Sequence, residues 1–559
     1  MKKKTTLLLI GIFLMIGLAA GAFFWAEGMF SSNYAYRSPL KENPPAPGSV
    51  LGDAVSRQMV IVLVDGLRVD TAANQAVMPH LNELRNLGAS AVMHSRAPSF
   101  SEAGYSTLMI GAWPEINDGP IFNLEYDQIP TWTQDNLFSA AHRKGVQTAV
   151  SGYYWFEKLL PPQDVDLHFY TPKIDRTADQ DVLAAALPWL QADDARLVLI
   201  HLDQVDFAGH DEGGPKSNAW NEAAARVDTM LGQIAEELDL TKDTLVIVSD
   251  HGHIDAGGHG GQEAVVLTEP FIMAGAGVVP GEYRDIQMVD VAPTIAALLG
   301  TSLPASTQGE VLTFMLNLPQ EVIQELPAAG EKQQTALVRA YANRLGLTID
   351  DSKLPTGSNV ASYQAYMDQL RDDRVLVQRV ERAALAAILL ALAVFLLLRN
   401  VRNGSLWWIA AGLVFMGIFN YRYAFWDQLT YSVSSITGET EFILYTVVTA
   451  AIAFLISWLI AALGKRTFWQ KPLDAALSTV GITLSMIFIA GLPVIFSFVL
   501  NGVLVTWTLP DYGTSFPALL GLVQILTVAV CGLMAIGVTA ILAQWGHRRQ
   551  KEIARERKK

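Results

Sequence analysis

The residues best suited to chemistry in this chain lie in a glycine-rich stretch, VSDHGHIDAGGHGG, at positions 248–261. This stretch contains Asp250, His251 and His259. Carboxylate and imidazole groups are typical zinc ligands, and glycines let the backbone bend so that such ligands can converge on one ion. The stretch therefore indicates a metal site, although a polar turn with solvated histidines would look the same in isolation. Further ligands from elsewhere in the chain would favour the metal site.

Three other stretches supply suitable side chains. Asp65 directly follows the apolar run MVIVLV, and Ser101 lies in PSFSEAGYSTLMIG at the predicted start of a helix. Asp206 and His210 lie four residues apart in HLDQVDFAGHDEGG, so on a helix they would share one face and could bind one ion. Each feature also has a plainer interpretation: a turn at Asp65, a helix N-cap at Ser101 and a surface pair at Asp206 and His210.

These side chains follow predicted strands. Residues 59–64 are a short continuous apolar run, as expected for a buried parallel strand, and later strand candidates lie at residues 148–151, 197–202, 244–249 and 271–274. Helical patterns lie between them, most clearly at residues 78–87 and 219–238. This alternation predicts an α/β sandwich with a mainly parallel central sheet. Ligands of such sheets bind beyond the carboxyl ends of the strands, where Asp65, Asp203, Asp206 and Asp250 all lie.

The hydrophobic content of 51% is spread unevenly, which is typical of a membrane protein with a water-exposed part. Residues 5–25 are apolar and follow Lys2, Lys3 and Lys4, so residues 1–30 are predicted to be a signal anchor, with a cleaved signal peptide as the alternative. A transmembrane bundle is predicted over residues 383–545. Its five apolar segments are residues 383–398, 406–426, 442–463, 475–500 and 516–545.

Basic residues mark alternate loops of this bundle. They are Arg399 and Arg402, then Lys465, Arg466 and Lys471, then the basic tail at residues 546–559. The loops at residues 427–441 and 501–515 contain no Lys or Arg. By the positive-inside rule the marked loops and the tail are cytoplasmic. We therefore expect a multi-pass protein of a cell membrane whose residues 57–317 lie outside the cytoplasm. Residues 31–56 are predicted to be a linker and residues 318–382 a helical connector.

Charge and cysteine content limit the kinds of molecules that this chain is expected to bind. Residues 31–382 contain 24 basic and 46 acidic residues, a balance whose long-range field disfavours nucleic acid and anionic surfaces. Cys531 is the single cysteine, so neither an intrachain disulfide nor a cysteine metal cluster can form. The expected partners are therefore a lipid bilayer and a small substrate, with no nucleic acid polymer.

Five motifs in this order carry a family resemblance: VLVDGLR, PSFS followed by STLMIGAWP, DFAGH, SDHGHIDAGGHG, and DVAPTIAALLGTSLPASTQG at residues 290–309. Over residues 57–315 the chain resembles the alkaline phosphatase superfamily, and within it the type I phosphodiesterase/nucleotide pyrophosphatase branch. The DHG…GGHG spacing and the attached spans also resemble GPI ethanolamine phosphate transferases. The resemblance implies an alkaline-phosphatase-like catalytic domain at residues 57–317 that acts on a phosphodiester or phospholipid-type substrate.

The resemblance also implies a site with two divalent metal ions. One ion's ligands match Asp206, His210 and His259, and the other's match Asp65, Ser101, Asp250 and His251. Mixed Asp and His ligation suits Zn²⁺ best, with Mn²⁺ as the alternative. Ser101 matches the nucleophile, often Thr in relatives, and Asn123 matches a residue that binds a phosphate oxygen if one extra residue follows Pro114. His253 stands where relatives commonly have methionine.

Physical chemistry supports this reading. A serine hydroxyl is a poor nucleophile at neutral pH unless a base or a metal stabilises its alkoxide. Two ions about 4 Å apart can do this while bridging a phosphoryl oxygen, and the amides of a helix that begins at Ser101 would add to the stabilisation. The expected intermediate is a phosphoserine at Ser101 that reacts with water or with an acceptor alcohol.

We therefore predict a membrane-anchored, extracytoplasmic two-metal phosphodiesterase. The first alternative is a phosphotransferase that moves phosphoethanolamine or a similar group to a lipid-linked glycan, which the several spans favour. The second is a transporter or scaffold with an inactive outer domain, which the scarcity of ionisable residues in the spans beyond Arg422 disfavours. A sulfatase is disfavoured because Ser101 does not lie in a Cys/Ser-x-Pro-x-Arg sequence. Residues 152–156 (GYYWF) and Trp113 could recognise the substrate or pack in the core.

Overall fold

The computed structural model describes residues 2–192, 194–399, 405–436 and 438–556. Arg402 of the predicted cytoplasmic loop and residues 557–559 of the predicted tail lie outside the described residues. The chain divides into two compact units. We call Asn33–Arg374 with Thr506–Thr508 the sheet unit, and the segments up to Ser32, Val375–Val505 and from Leu509 onward the helical unit.

The sheet unit is built on one nine-stranded sheet, in the order β4-β3-β5-β1-β6-β7-β2-β8 with β9 also paired to β2. The strands are β1 Met59–Val64, β2 Ala89–His94, β3 Thr148–Tyr153, β4 Leu167–Thr171, β5 Leu197–Leu202, β6 Thr244–Val248, β7 Thr268–Gly275, β8 Gly281–Glu282 and β9 Ile286–Gln287. All pairings are parallel except those of β7 with β6 and β2. The predicted α/β class with a mainly parallel sheet is confirmed.

Helices cover both faces of this sheet. They are α2 Val69–Ala72, α3 Pro79–Leu87, α4 Ser101–Ile110, α5 Leu137–Arg143, α6 Trp155–Leu159, α7 Ala178–Ala192, α8 Gln204–Asp211, α9 Asn218–Glu236, α10 Val291–Leu299 and α11 Gln320–Arg344, numbered after α1 of the helical unit. Successive residues of a strand point to opposite faces. Ile61 and Leu63 of β1 accordingly join one core with α4 and α10, whereas Val60 and Val62 join another with α7 and α9. The result is a three-layer sandwich.

The helical unit contains the remaining helices. They are α1 Lys2–Tyr34, α12 Val360–Arg399 from Val375 onward, α13 Ser405–Asn420, α14 Glu439–Gly464, α15 Pro472–Ala490, α16 Leu492–Asn501 and α17 Tyr512–Glu556. Among the described residues, five helical stretches could cross a membrane by their length and composition: Lys2–Tyr34, Val360–Arg399, Glu439–Gly464, Pro472–Asn501 (α15 with α16) and Tyr512–Gln550. The chain is therefore built as a multi-pass membrane protein. The remaining predicted span, residues 406–426, consists of the 16-residue α13 and a π-helical turn, Tyr421–Trp426.

Candidate functional site

The carboxyl ends of β5, β1 and β6 meet at one edge of the sheet, and the polar side chains of the site follow them. Val64 pairs with Leu202 and Leu63 with Val248, so the three strands end side by side. Asp65 directly follows β1, Asp250 comes two residues after β6, and Asp206 and His210 lie in α8 after β5. The glycine-rich loop between β6 and β7 adds His251 and His259. The structure therefore brings the predicted metal ligands together.

Ser101 is the first residue of α4 and is buried beside this cluster. Its Oγ lies 3.2 Å from Nε2 of His251 and accepts a hydrogen bond from Nδ2 of Asn123 at 3.4 Å. Oδ1 of Asn123 accepts the backbone N–H of Glu102 at 3.1 Å, which fixes the orientation of the amide. Gly104 lets α4 approach Asp250, because a Cβ at Gly104 would lie 2.6 Å from Cβ of Asp250. The positions predicted for Ser101 and Asn123 are thus next to each other and to His251.

His251 and His259 both present an unprotonated Nε2 to the site. Nδ1 of His251 lies 3.2 Å from the carbonyl oxygen of Gly252, and Nδ1 of His259 lies 3.0 Å from that of Ser99. A carbonyl oxygen can only accept, so the proton of each neutral ring is on Nδ1. The two rings stack with centroids 3.7 Å apart. A backbone carbonyl that fixes the tautomer in this way is the usual partner of a metal-binding histidine.

Two carboxylate oxygens face the same space without a hydrogen bond. Oδ1 of Asp65 lies 3.3 Å from Nε2 of His251, and Oδ2 of Asp250 lies 3.4 Å from it. Neither oxygen has a hydrogen-bond partner among the described residues, although both side chains are buried. An unsatisfied buried carboxylate oxygen is costly unless a cation compensates its charge. The other oxygen of Asp250 accepts the backbone N–H of Gly66 at 3.2 Å, which orients the group.

His253 lies in the loop between β6 and β7, and its buried side chain is part of the site. Its Nδ1 accepts the backbone N–H of Gly258 at 3.0 Å, so its proton is on Nε2 and is donated to Oδ1 of Asp206 at 2.7 Å. His253 therefore offers no lone pair to an ion and instead orients Asp206. Asp255, in the same loop, is exposed and pairs with Arg68 outside the cluster.

His201 and Tyr105 also lie in the site and have no counterpart in the sequence predictions. Nδ1 of His201 accepts the backbone N–H of Tyr153 at 3.4 Å, and its Nε2 donates to Oδ2 of Asp65 at 2.9 Å. The hydroxyl of Tyr105 donates a very short hydrogen bond to the same carboxylate oxygen. With Oδ2 occupied twice, Asp65 has only Oδ1 free to bind an ion. Asp203, which directly follows the strand that contains His201, lies close enough to both Asp65 and His201 to form a group with them.

Aromatic residues considered for substrate recognition have mostly structural contacts. Phe156 is buried and stacks on Tyr105 with ring centroids 4.7 Å apart. Trp113 is buried beneath the guanidinium of Arg96, whose Cζ lies 4.1 Å from the ring centroid. Tyr154 stacks on Tyr126 at 4.6 Å near the surface. Packing therefore accounts for the contacts of Phe156 and Trp113.

Burial controls the protonation of the cluster. It lowers the pKa of His251 to about 4, despite the nearby Asp65 and Asp206, so this imidazole is neutral at pH 7 and keeps its lone pair. Burial, followed by the charges of Asp65 and Asp206, raises the pKa of Asp250 well above its usual value. The carboxylates therefore repel one another when ionised together, and cations would relieve that repulsion.

The Asp and His side chains of the site form four compact groups, and the two groups without His253 or His201 have donor atoms free for a metal ion. Within each group the donor atoms lie within 4.8 Å of one another, and the groups are Asp65–Asp250–His251, Asp206–His251–His259, Asp206–His210–His253 and Asp65–His201–Asp203. The first matches the predicted set around Ser101. The other predicted set, Asp206, His210 and His259, is divided between two overlapping groups, with the rings of His210 and His259 4.9 Å apart. The neutral His251 and His259 and the unsatisfied oxygens of Asp65 and Asp250 fit divalent cations.

Gly209 of α8 makes room for His253 and provides a test of this arrangement. A Cβ at Gly209 would lie 2.4 Å from Cε1 of His253, so Gly209→Ala is expected to destabilise the protein by about 1–3 kcal/mol through overpacking. Gly330→Ala in α11 is the control, since nothing lies within 4 Å of its added Cβ and alanine favours a helix. Thermal unfolding of the purified full-length protein measures both. An unfolding temperature unchanged by Gly209→Ala would contradict the placement of His253.

Comparisons with known proteins match the part of the chain that contains this site. A family model for type I phosphodiesterase/nucleotide pyrophosphatase matches residues 59–347, more than half of the chain. The chain is 27% identical over 297 residues to human GPI ethanolamine phosphate transferase 2, catalytic subunit, a match that covers 48% of this chain and 30% of that protein. It is 25% identical over 388 residues to human GPI ethanolamine phosphate transferase 3, catalytic subunit, covering 62% and 34%. The chain spans about a third of the length of these relatives.

Solved structures give weaker matches. Murine ectonucleotide pyrophosphatase/phosphodiesterase 5 is 14% identical with a TM-score of 0.38, and the match covers 48% of this chain and 99% of that one. A variant of an alkaline phosphatase is 11% identical with a TM-score of 0.38, covering 47% and 99%.

Proposed function

Because the chain belongs to the type I phosphodiesterase/nucleotide pyrophosphatase family, a family of enzymes that act on phosphoric esters, we propose that it is a membrane-bound phosphotransferase that works through Ser101. The transferred group is phosphoethanolamine or a similar phosphodiester-linked group from a phospholipid-type donor. The acceptor is a hydroxyl of a lipid-linked glycan. The observation that carries the proposal is the buried Ser101 hydroxyl next to the Nε2 lone pair of His251 and the unsatisfied oxygens of Asp65 and Asp250.

Two divalent ions complete the proposed site. Asp65, Asp250, His251 and Ser101 would hold one ion, and Asp206, His210 and His259 would hold the other. When bound, such a pair supplies positive charge that favours an ionised hydroxyl and stabilises a reacting phosphoryl group. The mixed Asp and His donors suit Zn²⁺ best, followed by Mn²⁺. His253 and His201 act as positioning residues, because each donates its proton to a carboxylate of the site.

Different residues of the chain have different roles in the proposed reaction. Oγ of Ser101 loses its proton and bonds to phosphorus as the bond from phosphorus to the donor's oxygen breaks. Phosphoethanolamine is then esterified to Ser101, and the donor alcohol leaves with a proton. Nδ2 of Asn123, held 3.4 Å from Oγ, is placed to donate a hydrogen bond to a phosphoryl oxygen. In the second half the acceptor hydroxyl attacks phosphorus and restores Ser101. Burial of Ser101 and His251 limits competing attack by water.

The relatives favour transfer over hydrolysis. Sequence motifs alone put a hydrolase first, whereas the curated relatives reported above are ethanolamine phosphate transferases. Several apolar helices also suit an enzyme whose donor and acceptor are both lipids, since a single anchor would be enough for a hydrolase. A transporter or scaffold with an inactive outer domain leaves the assembled donor atoms unexplained. Transfer is therefore the proposed reaction, and hydrolysis is the second candidate.

The proposed location is a cell membrane with the sheet unit outside the cytoplasm. The support is the distribution of basic residues between loops, which by the positive-inside rule places Lys465, Arg466 and Lys471 on the cytoplasmic side.

Transfer and hydrolysis can be separated with one labelled donor. Full-length protein in phosphatidylcholine vesicles is given phosphatidylethanolamine labelled in its ethanolamine, with or without a mannose-bearing glycolipid. We expect label on the glycolipid to exceed free phosphoethanolamine by about tenfold or more, because an acceptor oriented at the site outcompetes water. Free mannose is the control for an acceptor without a lipid anchor. Release of phosphoethanolamine at the same rate with and without the glycolipid, with no labelled glycolipid, would favour the hydrolase.

A further inference from the structure

The helical unit contains an apolar cleft that the proposed reaction does not use. Its volume is about 570 Å³, within the range of about 300–1,000 Å³ that is usual for small-molecule sites. One wall is a single face of α1 with Leu14, Gly17, Gly21 and Trp25, and the other walls come from α12, α13, α15, α16 and α17. Ser485 carries the only hydroxyl among the lining residues that the structure describes. The chemistry of this cleft suits a hydrocarbon chain.

Two of the helices beside the cleft, α1 and α12, are the least closely packed of the five candidate spans. Only 6% of the most apolar window of α12 and 22% of that of α1 is buried, against 44–50% in the other three candidate spans. From Leu14 to Trp25, α1 rises about 16 Å, which is about half of the ~30 Å hydrocarbon core of a bilayer. The cleft thus has the depth of one membrane leaflet, with Trp25 at one end as expected for an interfacial tryptophan.

Two arginines lie at the Trp25 end. The indole N–H of Trp25 donates to the carbonyl oxygen of Val503 at 3.1 Å, and Arg379 donates to that of Leu500 at 3.2 Å. The guanidinium of Arg382 lies against Gly502, where an added Cβ would be 2.9 Å from its Cζ. Both arginines are half-buried, and among the described residues neither lies within ion-pair distance of a carboxylate. This cluster can accept an anion.

The arginines and the cleft share one face of α12. Positions 379, 382, 386, 389, 393 and 396 follow the three- and four-residue spacing of a helix face, and Leu389, Ala393 and Leu396 line the cleft. Arg382 precedes Leu389 by two turns, about 10 Å along the axis. A molecule lying along this face would therefore meet the guanidinium groups first and the apolar cleft next.

We propose that this cleft and the arginine pair form a binding site for one phosphate-bearing lipid. One acyl chain lies between α1 and α12, and the phosphate contacts the guanidinium groups of Arg379 and Arg382. Arginine suits this role because its planar fork can donate two parallel hydrogen bonds to one phosphate group. The site does not depend on the proposed reaction, since none of its residues belongs to the sheet unit.

Glycines of α1 allow the cleft to be filled without disturbing the fold. Nothing lies within 4 Å of a Cβ added at Gly17 or Gly21, so the double variant Gly17→Leu/Gly21→Leu places side chains in open space. The matched control is Gly417→Leu/Gly537→Leu, since these glycines have equally open surroundings in α13 and α17 but do not line the cleft. Arg379→Gln/Arg382→Gln removes the charges, and Arg399→Gln, at the far end of α12, is its control.

The experiment uses full-length protein with the Ser101→Ala substitution, so that no lipid is consumed and failure of the proposed reaction cannot affect the result. The probes are phosphatidylethanolamine and diacylglycerol, each carrying a photoreactive diazirine in one acyl chain and diluted into phosphatidylcholine vesicles. Crosslinked peptides are quantified by mass spectrometry. We expect the phospholipid to label residues 14–25 and 389–397 preferentially, and the leucine pair to reduce this labelling about tenfold while its control does not.

The diacylglycerol probe tests the phosphate contact. Arg379→Gln/Arg382→Gln should reduce labelling by the phospholipid about tenfold and leave labelling by diacylglycerol, which has no phosphate, unchanged. Labelling spread evenly over all lipid-facing helices, or unaffected by the leucine pair, would mean that the cleft holds only bulk lipid and would overturn the proposal. If the arginine substitutions changed labelling by both probes equally, the proposed contact between the arginines and a phosphate would be contradicted.

Discussion

Ser101→Ala is expected to lower the rate of phosphoryl transfer and of any hydrolysis by about 10³-fold or more, because the attacking oxygen is lost. The fold should survive. Alanine is the best helix former, and among the described residues the hydroxyl has polar contacts only with Nε2 of His251 and Nδ2 of Asn123. Turnover of labelled phosphatidylethanolamine in vesicles gives the rate. Circular dichroism and thermal unfolding of the same preparation report on the fold.

Ser106→Ala is the matched control, since Ser106 is also a buried serine of α4. Its Oγ donates to the carbonyl oxygen of Glu102 at 2.6 Å and accepts the indole N–H of Trp132 at 2.9 Å, so its loss should cost stability and not turnover. Normal turnover by the Ser101→Ala protein would exclude Ser101 as the nucleophile. A loss of turnover equal to that caused by Ser106→Ala would mean that the effect is one of folding.

The strands that position the site were predictable because they are buried on both faces. β1 is a continuous apolar run, β5 and β6 are apolar apart from His201 and Thr244, and each strand ends just before the residues that carry the chemistry. β4 is half exposed and lies at an edge, so LHFYT has no such run and was not predicted. The antiparallel direction of β7 was also missed. No helical pattern separates it from β6, and an antiparallel neighbour needs no helical crossover.

The site could be predicted where a residue follows its strand in sequence, as Asp65 and Asp250 do. The position of His253 could not be predicted. Its ring fits beside Gly66 and Gly209 because neither has a Cβ, and both glycines are distant from His253 in sequence. His201 gave one signal that could have been used, namely a polar residue inside the apolar strand LVLIHL, since a buried polar group requires partners. Tyr105 gave none.

In the helical unit, the distribution of charged residues predicted the membrane spans more accurately than it predicted where the helices begin and end. The predicted boundary between connector and first span follows Arg382, where charged residues stop. The helix itself runs unbroken over Val360–Arg399. Charged and apolar residues such as Arg, Glu, Leu and Ala are all good helix formers, so a change in polarity does not end a helix. Hydropathy therefore predicts where a helix can enter a bilayer and not where its hydrogen bonding begins.

Removal of metal ions is expected to inactivate the protein and to destabilise the sheet unit. After chelation with EDTA we expect turnover to fall about 10³-fold or more, and metal analysis before chelation should find about two ions per chain. Stability should fall as well, because Asp65, Asp206 and Asp250 then repel one another in a buried place. A ligand present at about a hundred times its Kd contributes about 2.7 kcal/mol to stability, so a clear drop in unfolding temperature is expected. Adding Zn²⁺ or Mn²⁺ should restore both.

Asp250→Asn and Asp255→Asn separate this effect from a general loss of charge. Both remove one carboxylate from the same loop, but Asp250 is buried with an unsatisfied oxygen while Asp255 is exposed and paired with Arg68. Asp250→Asn should reproduce chelation, with less bound metal and little turnover, because an amide is a weaker ligand than a carboxylate. Asp255→Asn should retain both. Full turnover by a chelated protein with less than about a tenth of an ion per chain would rule out metal-assisted transfer, since the buried carboxylates would then need another source of compensating charge.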